Sequence, residues 1–265
     1  MKERGGRTIR GVGKCLVVVA LVSAASAGIA SASGSIDLGD AGDLHESIGQ
    51  GQSKSSLQTM LQLGSVYTAT KFPVAVKIRP PDAHWGGVQL ESGNYRFIQL
   101  THLHASGTPP LNGWGYVTLE AGEGSTPSAA TAMNRLHATP LLEAGPITPI
   151  RVAGFTGQQF EATVVGIDGT RYSPNGAGGI SLAPFTTNHH CGYCTKTMHR
   201  ETQDAKFAGK GQLFRIIVLD VRGKTVVVYL ESTYAIQPKY PPTRTFPTFL
   251  PYAQQLLSKV SFSSG

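Results

Sequence analysis

Two apolar segments near the C-terminus, LFRIIVLDV (213–221) and TVVVYLE (225–231), decide the fold of this chain. Both are rich in the β-branched and aromatic residues that strands prefer. The segment Arg222-Gly223-Lys224 joins them, and its glycine supplies the positive φ that a tight hairpin needs. The pattern therefore predicts an antiparallel β-hairpin.

Further strands and two helices are predicted around this hairpin. The strand pattern recurs at 74–78, 95–101, 116–120, 150–153 and 159–165. One helix is expected after Ser125-Thr126-Pro127, which offers a cap and a proline suited to the first turn. A second helix is expected over 249–260, where apolar residues recur at helical spacing. Hairpins with segregated helices predict an α+β domain, an antiparallel sheet with a few helices packed on one face.

The composition agrees with strands and turns. The chain has 265 residues, of which 40% are hydrophobic and 15% charged, with 32 glycines and 16 prolines. This length can bury a sizeable core, and the glycine and proline content disfavours a long helical bundle. The apolar fraction is also too high for a wholly disordered chain.

The N-terminus has the pattern of a secretory signal peptide. An apolar run over 15–22 leads to Ala30-Ser31-Ala32, and five basic residues precede the run: Lys2, Arg4, Arg7, Arg10 and Lys14. A basic region, a short apolar region and an Ala-x-Ala site are typical of export signals. We expect residues 1–32 to be removed and the protein to be secreted or extracytoplasmic. A membrane anchor formed by the retained segment is the alternative.

The predicted mature chain is only weakly basic. The formal charge of the whole chain is +7, but residues 1–32 hold five basic residues and one acidic one, so the remainder has a charge of +3. The remainder has no cluster of Lys and Arg, which argues against a nucleic-acid partner. Membrane contact is expected only through the N-terminal segment.

The composition divides the rest of the chain into two parts. Residues 33–66 are rich in Gly, Ser, Asp and Gln, which predicts a flexible linker. Residues 67–265 are expected to form a single α+β domain, with a Gly/Pro-rich loop insertion near 166–210.

The C-terminal segments resemble the end of PsbP-like domains. The resemblance lies in 212–220, in 223–230, and in a terminal helix and strand over 249–262. It covers about a fifth of the chain and contains no catalytic motif. PsbP-like domains include extrinsic photosystem proteins and secreted actinobacterial lipoproteins. The resemblance implies a fold of exported binding or accessory proteins and transfers no functional residue.

The densest group of reactive side chains is HHCGYCTKTMH (189–199). Once Cys15 is removed with the leader, Cys191 and Cys194 are the two remaining cysteines. An even cysteine count in an exported chain predicts a disulfide between them. Such a small ring would stiffen one loop and contribute little to the stability of the domain.

Metal binding and redox chemistry are the alternatives for this loop. Cys191, Cys194, His199 and Asp204 follow the spacing of a zinc knuckle, with Asp in place of the last Cys. His189 or His190 can instead complete such a zinc site. A C-x-x-C pair can also be a redox dithiol when its thiol pKa is lowered.

Four other side chains form a second candidate group, a ligand-binding face. His102 and His104 alternate along a predicted strand, so both point to one face and can act as paired ligands, although histidines on such a face are more often solvated. Trp85 and Trp114 can line an aromatic wall, although tryptophans in a small β-rich domain more often pack in the core.

These observations predict an exported, non-enzymatic binding or accessory protein. Its partner would be a small molecule or an extracytoplasmic protein, and no cofactor is expected. The alternative is a zinc-binding or thiol-redox enzyme centred on the Cys191–His199 loop, with zinc as its metal.

Overall fold

The computed structural model describes residues 35–43, 59–92, 95–102, 115–166, 168–172, 178–185, 206–232 and 242–263. These residues belong to one unit, Gly34–Gly265. The strands are β1 Ile36–Asp37, β2 Asp40–Asp43, β3 Thr59–Met60, β4 Tyr67–Ala69, β5 Ala75–Ile78, β6 Trp85–Ser92, β7 Tyr95–His102, β8 Gly115–Gly122, β9 Leu142–Ala144, β10 Thr148–Val152, β11 Phe155–Val164, β12 Asp168–Tyr172, β13 Gly178–Leu182, β14 Lys206–Gly209, β15 Leu213–Val221, β16 Lys224–Ser232 and β17 Val260–Ser263. The helices are α1 Ala129–His137 and α2 Pro242–Leu257.

Strands β15 and β16 form the predicted hairpin. Arg222 and Gly223 occupy the turn with φ of 57° and 79°, the two positive values that a type I′ turn requires. The Asp220 Oδ1 atom accepts a hydrogen bond of 2.7 Å from the Gly223 amide. The hairpin prediction is confirmed, including the role of glycine in the turn.

The hairpin lies inside the main sheet, whose strand order is β10-β11-β15-β16-β8-β7-β6-β2. Neighbours along this order are antiparallel except β2, which runs parallel to β6. Strand β3 pairs with β6, and β9 pairs with β11. A second sheet has the order β1-β4-β5-β17, and a third has the order β12-β13-β14. The sheets are mostly antiparallel, and two helices pack on them, which confirms the α+β class.

The main sheet is covered on both faces, whereas the sequence analysis placed the helices on one. Ile217 and Leu219 of β15 belong to a core that includes α2 and the second sheet, and we call this the front face. Ile216 and Val218 belong to a core with α1 and the third sheet, the back face. Because alternate residues of β15 are apolar on both sides, each face needs its own cover.

The helices also differ from their predicted bounds. Ser128, the residue after Ser125-Thr126-Pro127, caps α1, and its Oγ atom accepts a hydrogen bond of 3.2 Å from the Thr131 amide. Helix α2 begins at Pro242 and ends at Leu257, so it starts before the predicted residue 249. It tolerates Pro247 and Pro251 because both lie on its exposed face, where water can bind the carbonyl groups they leave free.

The segment 33–66, predicted as a linker, contains short strands in its described residues, 35–43 and 59–66. The backbone of β1 pairs with β4, and β2 pairs with β6. Leu38 and Leu61 are buried in the front core. The buried Gln89 side chain donates a hydrogen bond of 2.9 Å to the Leu38 carbonyl. A polar segment can therefore be ordered by the edges of existing strands and by two leucines.

The segment 166–210 is also more than a loop insertion. It contains the third sheet, β12-β13-β14. Ile180, Leu182 and Ala208 of this sheet are buried in the back core. The structure thus assigns part of this Gly/Pro-rich segment a role in packing, because these few apolar residues cover the back of the hairpin.

Candidate functional site

A cluster of polar and aromatic side chains lies where β6 begins and β7 ends. Trp85 and His102 are paired directly across these two strands. Asp82 and His84 precede β6, and Tyr252 reaches the same place from α2. We call these five residues the histidine corner.

A glycine next to the corner allows α2 to approach it. Gly115 is the register partner of His102 on β8. A Cβ atom at Gly115 would lie 2.6 Å from Cδ1 of Phe249 and would also collide with the Glu231 carbonyl oxygen. The absence of this Cβ lets Phe249 pack against the strand, and α2 then carries Tyr252 over His102.

Two aromatic rings hold the His102 ring. The His102 and Tyr252 rings are stacked with centroids 4.4 Å apart, and the Trp85 ring meets His102 edge-on at 4.9 Å. The His102 side chain is only 5% exposed. Such packing fixes the orientation of the imidazole before any ligand binds.

The Asp82 carboxylate lies between two imidazoles. Its Oδ1 atom is 3.4 Å from Nδ1 of His84, and its Oδ2 atom is 3.6 Å from Nε2 of His102. Oδ1 also accepts a hydrogen bond of 2.8 Å from the His84 amide. One donor atom from each of the three residues lies within 4.8 Å of the other two. Among the described residues, these three form a group that could hold a metal ion.

The sequence predicted only part of this corner. His102 is in it, but on a buried face rather than the solvated face that is more usual for such residues. Trp85 is fully buried in the front core, so it does not form an exposed aromatic wall. Asp82 and His84 were missed, although the Asp-x-His spacing before a strand was a usable signal.

The other predicted site residues lie outside the described residues. This applies to two members of the proposed ligand face, His104 and Trp114. It also applies to the whole Cys/His loop: His189, His190, Cys191, Cys194, His199 and Asp204. The disulfide, the zinc alternative and the redox alternative for this loop therefore stay predictions.

A second polar cluster is buried on the back face. The Glu231 carboxylate of β16 is 2.7 Å from Nζ of Lys206 on β14. It accepts a hydrogen bond of 2.7 Å from the Thr118 hydroxyl and one of 3.2 Å from the Gln212 side-chain amide. Because Lys206 belongs to the third sheet and Glu231 to the main sheet, the ion pair ties the two sheets together.

Two tyrosines beside this cluster stay protonated. Burial, and then the negative charge of Glu231, raise the pKa of Tyr116 to about 12. Burial holds the pKa of Tyr229 well above its usual range, and the nearby Glu120 carboxylate adds to the effect. The Tyr229 hydroxyl donates a hydrogen bond of 2.7 Å to Oε2 of Glu120. Both phenols are therefore neutral at physiological pH.

Comparison with known proteins shows only weak structural similarity. No family model and no curated protein match the chain. Among solved structures, LpqN of Mycobacterium tuberculosis, described as involved in cell envelope biogenesis, is similar with a TM-score of 0.31 and 11% identity. The match covers 74% of this chain and 88% of LpqN. The resemblance to PsbP-like domains stays a prediction.

Neither α1 nor α2 is long and apolar enough to cross a bilayer.

Proposed function

We propose that this protein is an exported, non-enzymatic binding or accessory protein that holds a ligand at the histidine corner. The observation that carries the proposal is the convergence of Asp82, His84 and His102 on one point beside the front core. Binding sites commonly combine an apolar surround with a few polar groups that converge. The export signal predicted at the N-terminus supports an extracytoplasmic location.

The ion pair and the hydrogen bonds of the buried back-face cluster favour a structural role for that cluster. Glu231 is engaged by Lys206, Thr118 and Gln212, so its charge is neutralised and its oxygens are hydrogen-bonded within the protein. Such a saturated network orders a core and leaves its carboxylate little capacity for proton transfer. The histidine corner is the better candidate, because the His84 side chain is 46% exposed and gives a ligand access from solvent.

Export can be tested with a reporter fusion. The full chain is fused to alkaline phosphatase, which becomes active only where its disulfides form, outside the cytoplasm. We expect activity from the full-length fusion and none from a control that begins at Ser33. Equal activity with and without residues 1–32, or none with either, would contradict the proposal.

Binding at the corner can be tested on protein recovered from an exporting host. Native mass spectrometry should show an adduct on the wild-type chain that is lost in His102→Ala. His137→Gln is the control, because His137 lies on α1 at the back face, where it contacts the Gly145 carbonyl at 3.0 Å. If all three proteins have the mass of the polypeptide alone, the corner holds no ligand.

A further inference from the structure

We infer that Asp82, His84 and His102 form a binding site for a divalent transition-metal ion of the zinc class. The inference rests on the proposed function, because it names the ligand of the histidine corner. It concerns residues of the described core and is separate from the Cys/His loop over 189–199.

The first support is the spacing of the donor atoms. Zinc binds imidazole nitrogen and carboxylate oxygen at about 2.0–2.2 Å, so two ligands of one tetrahedral ion lie about 3.3–3.5 Å apart. Oδ1 of Asp82 lies 3.4 Å from Nδ1 of His84, and Oδ2 lies 3.6 Å from Nε2 of His102. Direct hydrogen bonds are usually shorter, about 2.7–3.2 Å. Each gap is close to the separation of two ligands on one ion, and since the gaps start from different carboxylate oxygens, an ion between the two histidines would bind both oxygens of Asp82 or one of them after a small rotation of the carboxylate.

The second support is the chemistry of the donor set. Two imidazoles and one carboxylate suit zinc, copper, nickel and iron(II), whereas calcium and magnesium prefer sites made of oxygen. Three protein ligands are also fewer than the four of most structural zinc sites. The site would leave a position for water or for an anionic group of a partner.

The third support is that the ligands are held in place before binding. Trp85 and Tyr252 fix the His102 ring, with ring centroids 4.9 and 4.4 Å from it. The His84 amide fixes the Asp82 carboxylate through a hydrogen bond of 2.8 Å. Ligands that are already oriented lose little entropy when they bind an ion.

The exposed fractions of the three side chains indicate how an ion can enter the site. The side chain of His102 is 5% exposed, that of Asp82 is 27% exposed and that of His84 is 46% exposed. Exposure thus increases from the inner imidazole to the outer one. A hydrated ion can meet His84 and Asp82 first and then reach His102.

The test uses the mature chain from Ser33 with Cys191→Ser and Cys194→Ser, so that thiols cannot supply a second site. Zinc is titrated by calorimetry and cobalt(II) by its visible absorption. We expect one ion per chain and a tetrahedral cobalt spectrum. In the same background, His84→Ala should weaken zinc binding by at least about 10-fold, because one of three ligands is lost.

The variants separate a lost ligand from a lost fold. His84 is half exposed, so His84→Ala should unfold at the same temperature as its parent. His102→Ala should also weaken binding, but it opens a buried position and can destabilise the chain. The control His137→Gln should bind zinc like the parent. If the thiol-free parent binds no zinc, or His84→Ala and His137→Gln bind it equally, the inference is overturned.

Fluorescence gives an independent readout. The chain has two tryptophans, so Trp114→Phe leaves Trp85 as the single emitter. Its ring is 4.9 Å from His102, and copper(II) bound at the corner should quench its emission. Quenching that survives His84→Ala at the same copper concentration would contradict the site.

The inference and the proposed function can fail separately. Zinc binding that depends on His84, together with a reporter fusion that stays inactive, would retain the metal site and refute the exported role. An active fusion with an organic adduct lost in His102→Ala, but no zinc binding, would retain the proposed function and refute the metal site.

Discussion

Lys206→Met tests whether the ion pair between the third sheet and the main sheet stabilises the fold. The Lys206 side chain is 12% exposed and that of Glu231 is 4% exposed. Removing the ammonium group leaves the Glu231 carboxylate buried, with the Thr118 hydroxyl and the Gln212 amide as donors. Breaking a buried pair in this way costs about 3–5 kcal/mol. For a unit of this size that corresponds to a fall in Tm on the order of 10 °C.

The measurement is urea unfolding of the mature chain, followed by circular dichroism, with thermal unfolding alongside. The double variant Lys206→Met with Glu231→Gln should recover about 2 kcal/mol or more, because it removes the unpaired charge. Lys224→Met is the matched control, since Lys224 makes an exposed hydrogen bond of 3.0 Å to the Gly124 carbonyl. If Lys206→Met destabilises the chain no more than Lys224→Met does, the ion pair does not hold the sheets together.

Three further predictions concern other parts of the fold. The unfolding free energy should fall above about pH 10, by about 1.4 kcal/mol per unit for each of Tyr116 and Tyr229, because the folded pKa of both phenols lies above the unfolded value; denaturant titrations between pH 9 and 12 measure this, and a flat profile would contradict it. Gly157→Ala should destabilise the chain by about 2 kcal/mol or more, because its Cβ would collide with the Val218 carbonyl oxygen across the pairing of β11 with β15. A change below about 0.5 kcal/mol in urea unfolding, which is the scatter of surface substitutions, would show that the strands can separate there. In urea unfolding, Arg222→Asn should raise the unfolding free energy by up to about 1 kcal/mol, because Asn tolerates the positive φ of Arg222 and Asn-Gly is favoured in type I′ turns. A lower unfolding free energy would refute this account of the turn.

The hairpin and the strands around it could be predicted because their signals are local. The bounds predicted for β15 were observed, and those of β16 differ by one residue at each end. Both strands are long apolar runs, and the turn between them contains glycine. The pattern also predicted a helix in the region of α1. Its cap at Ser128 was missed, since Ser125 and Ser128 both precede the helix and only the fold selects between them.

The strands before Tyr67 and within 166–210 could not be predicted from their own composition. Leu38 lies in a polar segment, 35–43, whose other large apolar residue, Ile36, is exposed, and the burial of Leu38 depends on an edge that β4 and β6 provide. Strand β13 begins with two glycines, yet its Ile180 is buried against the back of the hairpin. Long-range pairing supplies the hydrogen bonds and the apolar contact that these short segments lack.

The sequence by itself determined the α+β class, the central hairpin and the presence of His102 at the end of a strand. Only the tertiary structure brought Asp82, His84 and His102 together, because the pairing of β6 with β7 places residues about twenty positions apart side by side. It also decided that Tyr252 covers His102, because Phe249 packs where Gly115 has no side chain. The alternation of apolar and polar residues predicts which face of its own strand a residue occupies. The neighbours across strands and helices are set by the free energy of burying the whole core.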